Sequence, residues 1–325
     1  MTADRFPRTA FFGTPEFAAA SLQALLDAGV DVPLVVTQPD RPVGRHAELR
    51  PSAVGALAAS RGLSTEKPET LRANAGLVAR LREARPDAIA VVAYGRILPP
   101  EILALPRLGC VNVHASLLPR WRGASPIQAA ILAGDAETGV VTMRMEEGLD
   151  TGPVYLERRV AIGERETSGE LSGRLQLLGG ELLVETLEGL AAGRLSARPQ
   201  PGGDPTATAT ATATVCRPIR REDALVDWER PAAEILRRLR AFTPWPGLFT
   251  FLEGERVKIL DADESRERPA APSGSFDLAS GELVASAGEG TAVRIQRLQR
   301  AGRKPVTGAE FARAARLPGR FGAPR

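Results

Sequence analysis

Lysine, cysteine and histidine are all scarce in this chain of 325 residues. Two cysteines, Cys110 and Cys216, make no disulfide framework and no CxxC zinc knuckle. Two histidines, His46 and His114, without ligand-spaced carboxylates, argue against a zinc centre, so no metal is expected. No run of about 18 apolar residues occurs, which excludes a membrane-spanning helix. Met1 to Arg8 is not followed by an apolar stretch of about 7–15 residues, so no secretory signal is expected. These absences together describe a reduced, cytoplasmic protein with no membrane partner, and a monomer is expected. Hydrophobic residues at 43% and charged residues at 25% match ordinary globular chains and exclude wholesale disorder.

What is present is arginine. Of 42 basic side chains only Lys67, Lys258 and Lys304 are lysines, and 39 acidic side chains leave a formal charge of +3. Overall charge therefore names no partner. Its distribution says more: residues 1–200 carry 22 basic and 23 acidic groups, whereas 201–325 carry 20 and 16. A basic second half fits either a solvated surface or a polyanionic partner.

The length suits two domains of about 100–200 residues. The first half alternates strand-like and helix-like segments. Thr9 to Phe12 is a short apolar run, followed by Thr14 as an expected N-cap, Pro15, Glu16 and an amphipathic stretch from Phe17 to Ala28. Val32 to Thr37, Ala88 to Ala93, Cys110 to Val113, Gly139 to Met145 and Val154 to Ile162 read as strands. Pro51 to Arg61 and Pro68 to Ala84 read as proline-started helices, and Thr167 with Glu170 as a capping box opening a helix toward Ala192. Strands separated by helices predict an α/β fold, Rossmann-like, with a doubly wound, mainly parallel sheet. Residues 198–214, RPQPGGDPTATATATAT, have no pattern that could bury a core and read as a linker. Beyond it come one helix at Ala232 to Phe242 and short β-like runs at Leu248–Leu252, Arg256–Leu260, Gly274–Leu278, Glu282–Ser286 and Ala292–Leu298. Thr307 and Glu310 then form a second capping box for a helix to Arg316. This predicts domains at 1–197 and 215–325, the second a smaller β-barrel, OB-like.

The first β–α turn, FFGTPEF, has one glycine where a dinucleotide fingerprint has three, so a nicotinamide cofactor is not expected. The densest chemistry lies at 109–153. Asn112 and His114 are two apart on an apolar run and, on a strand, share a face at its C-terminal end. An amide N–H beside an imidazole can stabilise a developing oxyanion. Asp150, in GLDTG, can hold the imidazole or assist proton movement. A satisfied core histidine and a turn aspartate fit the spacing as well.

The string NVHASLLPRWRGASPIQ, with GLDTG downstream, resembles the formyltransferase family that uses 10-formyltetrahydrofolate. FFGTPEFA, TQPDRPVGR, VVAYGRILP, AGDAETGV, VDWERPAAEILRRLRAFTPWPG and LQRAGRKPVTGAEF match the family in order, over nearly the whole chain except 198–214. Trp121, Gln128 and LDTG point to the branch whose acceptor is the α-amine of methionine on charged initiator tRNA, serving translation initiation. The alternative acceptor is a nucleotide-linked amino sugar. A third reading, a non-catalytic RNA-binding module, sits poorly with an intact trio.

The resemblance implies that Asn112, His114 and Asp150 are catalytic, with a protonated His114 joining Asn112 at the oxyanion and Asp150 raising the His114 pKa. It leaves open which of His114 and Asp150 moves the proton. It also implies folate contacts from Ser116, Leu117, Leu118 and Pro119, with Tyr94 and Gly95 walling the pterin, 10-formyltetrahydrofolate being consumed as a co-substrate. For tRNA it implies Arg41, Arg45 and Arg50 in the loop after Thr37, and the basic second domain. Two departures stand out: His46 and Ala47 replace the usual lysines after Gly44-Arg45, and TVCRPIRR replaces a Tyr-Ala and lysine. Arg217, Arg220 and Arg221 are then expected to meet phosphates, since neutralisation does not distinguish Arg from Lys.

Overall fold

The computed structural model of the chain describes residues 5–43, 48–201, 213–267, 271–279, 281–315 and 318–322. The chain divides into two compact units: Met1–Pro126 with Glu137–Ala161 and Ser172–Arg217, and Ile127–Ala136 with Ile162–Leu171 and Pro218–Arg325. It begins with β1 (Thr9–Gly13), α1 (Glu16–Asp27), β2 (Val35–Val36), β3 (Arg41–Val43), β4 (Glu48–Arg50), α2 (Ala53–Ser60), β5 (Thr65–Glu66) and α3 (Ala75–Ala84). There follow β6 (Ala88–Val92), α4 (Pro100–Leu103), β7 (Cys110–His114), β8 (Arg122–Gly123), α5 (Pro126–Ala133), β9 (Glu137–Arg144), β10 (Val154–Ala161), α6 (Ser168–Ala191) and β11 (Val215–Cys216).

The first unit holds a seven-stranded sheet in the order β10-β9-β7-β6-β1-β2-β5. The five strands from β7 to β5 are parallel, and β9 and β10 add an antiparallel edge. β1 and β6 are buried at every residue, as strands covered on both faces must be, which is why TAFFG and AIAVV read as unbroken apolar runs. Phe12, Val36, Ile89, Val91 and Tyr94 pack with Leu77 and Leu81 of α3 into one core. The chain leaves β1 toward β2 and β5, then returns on the other side as β6 and β7. The strand order therefore reverses between β1 and β6, and such a switch point opens a crevice at the carboxyl ends of the strands.

Two local expectations are corrected. Thr14 does not cap α1; Pro15 is the N-cap without a side-chain bond, and the Thr14 hydroxyl instead donates to the Tyr94 carbonyl at 3.2 Å. The helix expected from Pro68 starts at Ala75, where the Asn74 side chain caps Leu77 N at 3.0 Å. The carbonyls of Pro68 and Glu69 meanwhile accept from the Arg96 guanidinium. The Thr167–Glu170 capping box forms as expected, with Glu170 accepting from Thr167 N at 2.9 Å and Thr167 Oγ1 accepting from Glu170 N at 3.3 Å.

The second unit contains α7 (Ala232–Ala241), β12 (Phe249–Leu252), β13 (Glu255–Glu264), β14 (Ser275–Ala279), β15 (Glu282–Ser286), β16 (Ala292–Arg300), β17 (Val306–Thr307), α8 (Gly308–Ala314) and β18 (Gly319–Arg320). Its sheet runs β12-β13-β16-β15-β14-β18, and an antiparallel bridge between Phe251 and Gly322 joins the two edges into a nearly closed barrel. Trp228 stacks on Phe321 at 5.5 Å between centroids, and Phe321 on Phe276 at 4.2 Å; the indole N–H donates to Thr250 Oγ1. These large rings pack together in the barrel, and the indole's polar edge is satisfied. Thr307 and Glu310 form the expected capping box of α8; the expected helix end at Arg316 lies outside the described residues. Residues 202–212 of the low-complexity segment also lie outside them, while its two ends are described.

Candidate active site

His114 is the last residue of β7, and its neighbour Val113 pairs in register with Val92, the last residue of β6. The segments after these strands, 93–95 and 115–119, therefore leave the sheet side by side at its carboxyl edge. Asn112, two residues before His114, shares its face of the strand. The His114 ring is 6% exposed, with Nε2 2.9 Å from the Trp121 carbonyl and Nδ1 3.6 Å from Asp150 Oδ2. A carbonyl only accepts, so Nε2 carries the proton of that bond. Burial pushes the imidazole below its ordinary pKa; the Asp150 charge and the Trp121 carbonyl pull the other way without overcoming it. The aspartate thus acts in the expected direction, and desolvation, acting the other way, is larger. Asn112 is only partly buried, and among the described residues no protein group bonds its carboxamide.

Asp150 sits at φ +51°, a left-handed conformation that few non-glycine residues adopt and that aspartate tolerates better than most. Its Oδ2 accepts from Gly123 N at 2.8 Å, and Oδ1 has no partner among the described residues. Two glycines let the surrounding loops close. A Cβ on Gly152 would lie 1.9 Å from the Arg144 carbonyl oxygen, and one on Gly123 would lie 2.3 Å from that of Cys216. Trp121 is itself left-handed, at φ +57°.

The ends of the low-complexity segment are built into this site. The Gln200 amide, 4% exposed, donates to the Asp150 and Gly152 carbonyls at 2.8 Å each and accepts from Arg122 Nη2 at 2.6 Å. On the other side Thr214 Oγ1 accepts from Trp121 N at 2.8 Å, and β11 pairs with β8 in parallel. The Cys216 thiol lies against the Trp121 and Arg122 carbonyls at 3.5 and 3.3 Å. Sequence reasoning missed Gln200, Thr214 and Cys216 because they flank a stretch with no pattern; only the pairing of loops distant in sequence brings them in.

The other expected residues fall in different settings. Ser116 is buried and donates to the Arg120 carbonyl at 2.6 Å, and Leu118 packs on Val141 and Met143. Pro119 is buried and Leu117 only partly so. The Tyr94 ring belongs to the core, edge-on to Phe12 at 5.3 Å, so what its segment presents outward is Ala93 and Gly95. Its carbonyl takes hydrogen bonds from Thr14 and from Gln38 Nε2, tying the ends of β1 and β2 to β6. Arg41 and Arg50 lie on an exposed hairpin of β3 and β4, directly opposite each other. Arg41 donates to Gln38 and Arg50 to Glu48; Arg45 lies outside the described residues. Arg217, Arg220 and Arg221 are exposed. Among the described residues no three His, Cys, Asp or Glu side chains are placed to hold a metal, and no helix is long and apolar enough to cross a membrane.

The sequence pattern of the family described as "Formyl transferase" matches residues 7–187, and that of "Formyl transferase, C-terminal domain" residues 218–316. A methionyl-tRNA formyltransferase of Methylibium petroleiphilum is 47% identical over 312 residues, covering 94% of this chain and 96% of its own. One of Stutzerimonas stutzeri is 48% identical over 299 residues, 92% of each chain. Among solved structures, the sugar 3N-formyltransferase WlaRD aligns with a TM-score of 0.63 over 91% of this chain and 98% of its own, at 15% identity. HypX from Aquifex aeolicus in complex with tetrahydrofolic acid aligns at 0.60 over 94% and 47%, at 17% identity. These two share the fold. With both halves matched and end-to-end relatives nearly half identical, the chain belongs to the formyl transferase family, among its methionyl-tRNA formyltransferases.

Proposed function

We infer that this chain transfers the formyl group of 10-formyltetrahydrofolate to the α-amine of methionine on charged initiator tRNA. The observation that carries the chemistry is the grouping of an unspent Asn112 amide, a buried His114 and a carboxylate with one free oxygen at the carboxyl ends of parallel strands. The neutral amine attacks the formyl carbon; free α-amino groups titrate near ~7.7–8, so a usable fraction is neutral at pH 7. The new C–N bond leaves a negative charge on the former formyl oxygen, and Asn112 donates to it. The amine then loses its proton to the Asp150–His114 pair, Asp150 Oδ1 being the acceptor without a partner among the described residues. As the bond from carbon to folate nitrogen breaks, that nitrogen takes a proton and tetrahydrofolate leaves.

The folate is read at the crevice between the β1 and β6 ends, against the backbone of 93–95 and the 116–119 segment. The tRNA is read on the β3–β4 hairpin and on Arg217, Arg220 and Arg221. Like charges directly opposite on a hairpin weaken it, so the Arg41–Arg50 pair makes sense against a polyanion. The catalytic domain is assigned to 1–197 and a tRNA-binding domain to 215–325. We read the protein as a cytoplasmic monomer, its Cys110 and Cys216 thiols free and buried. The test offers 10-formyltetrahydrofolate with methionyl initiator tRNA in one tube and a nucleotide-linked amino sugar in another, following tetrahydrofolate release. Turnover is expected with tRNA only; turnover with the sugar overturns the acceptor, and silence in both overturns the enzyme.

A further inference from the structure

Asp150 holds a left-handed backbone. The Asp150 and Gly152 carbonyls lie on either side of Thr151, and both accept from one nitrogen, Gln200 Nε2, at 2.8 Å. The other end of the same amide, Oε1, accepts from Arg122 Nη2 at 2.6 Å and Nε at 3.2 Å. A guanidinium only donates and a carbonyl only accepts, so the three neighbours allow one orientation of the amide. Gln200 is 4% exposed. A side chain that donates twice at one end and accepts twice at the other, at this length, is glutamine. Arg122 is also the first residue of β8, and the next, Gly123, donates its N–H to Asp150 Oδ2. The clamp therefore fixes both the backbone of Asp150 and the direction of its carboxylate.

We propose that Gln200 is a positioning residue for Asp150, holding its carboxylate at His114 through a bidentate grip on the 150–152 backbone, with Arg122 locking the grip. This rests on the reading of Asp150 as part of the proton-moving pair. It assigns a function to a residue of the segment that composition marks as a linker.

The test is a set of purified full-length variants assayed with 10-formyltetrahydrofolate and methionyl initiator tRNA. Gln200→Leu removes donors and acceptor, while Gln200→Glu keeps the volume and the Arg122 bond but loses the donors. Both are expected to lower kcat by roughly 10–100-fold, as a displacement of about 1 Å does, with KM for either substrate within about threefold. In an Asp150→Asn background the Gln200→Leu change should alter kcat by less than about threefold, because it acts through a carboxylate already removed. A Gln200→Glu variant with wild-type kcat, an additive loss in the double variant, or failure of both variants to fold would each overturn the proposal. Asp150→Asn with full turnover would instead overturn the reading of Asp150 on which it stands. Loss in Asp150→Asn with none in Gln200→Leu would overturn the positioning role alone.

Discussion

Replacing Asn112 with alanine separates transition-state stabilisation from folding unusually well. Asn112 is partly buried on β7, and among the described residues its carboxamide bonds no protein group. Truncation therefore orphans nothing and removes only light packing, a change within about 1 kcal/mol for a site without special features. For a unit of this size that is a shift of roughly 2–4 °C in Tm. The kinetic cost is of another order. One oxyanion donor is worth about 2.7–4 kcal/mol, so kcat should fall roughly 100–1000-fold while both KM values stay near wild type. Initial rates of tetrahydrofolate release with methionyl initiator tRNA give kcat and KM, and a thermal melt gives stability. Asn112→Asp sharpens the argument, because it keeps the shape but puts a carboxylate, an acceptor, where the oxyanion forms. It should be at least as slow as Asn112→Ala. An aspartate variant faster than the alanine variant, or an alanine variant within about tenfold of wild type, would refute donation by Asn112. His114→Ala gives no such separation, since it strips partners from the Trp121 carbonyl and Asp150 at once.

Three further outcomes follow from the same geometry. His114 has its pKa lowered in the folded state, so below about 6.5, its ordinary value, the unfolded chain binds more protons. Stability held above that pH should be lost as pH falls through the folded pKa, and a His114→Asn variant should show a flatter Tm against pH from about 6.5 downward; parallel curves would contradict it. Gly152→Ala places a methyl 1.9 Å from the Arg144 carbonyl oxygen, so the 148–152 loop must shift. Turnover should drop at least about tenfold, by the sensitivity of reacting groups to misplacement, and unchanged kcat would show that loop to be irrelevant. Arg41→Ala with Arg50→Ala should weaken tRNA binding and reduce the slope of log K against log salt by about 0.7–0.9 for each phosphate no longer neutralised. An unchanged slope across about 50–200 mM salt removes the hairpin from the interface.

Legibility in the sequence tracked the range of the interaction. The parallel strands declared themselves because both faces are buried, and the capping boxes at Thr167 and Thr307 because donor and acceptor stand three residues apart. Thr14 has the right chemistry and neighbours for a cap, yet its hydroxyl is claimed by a carbonyl 80 residues away. Pro68 has a proline's preference for a helix start, yet the carbonyls at 68 and 69 are taken by Arg96. The β3–β4 hairpin is made of three-residue strands whose one apolar pair, Pro42 opposite Leu49, is exposed, too short a run for alternation to reveal it. Gln200, Thr214 and Cys216 reach the site across 50 to 95 residues, from within or beside a stretch of Ala, Thr, Pro and Gly.

The spacing of Asn112 and His114 suggests twin donors, because residues two apart on a strand share a face. A shared face fixes where a ring lies, not which of its nitrogens are already engaged. Here Nε2 is held by the Trp121 carbonyl and Nδ1 faces a carboxylate, so both ring nitrogens are already engaged away from an oxyanion. Freeing Nε2 would require Trp121 to turn, and Trp121 is held on both sides of its peptide: its N–H by Thr214 and its carbonyl against the Cys216 thiol. The two residues that looked equivalent therefore divide the work. In the proposed mechanism Asn112, whose amide is uncommitted, meets the developing charge, while His114, held between the Trp121 carbonyl and Asp150, belongs to the pair that takes the proton.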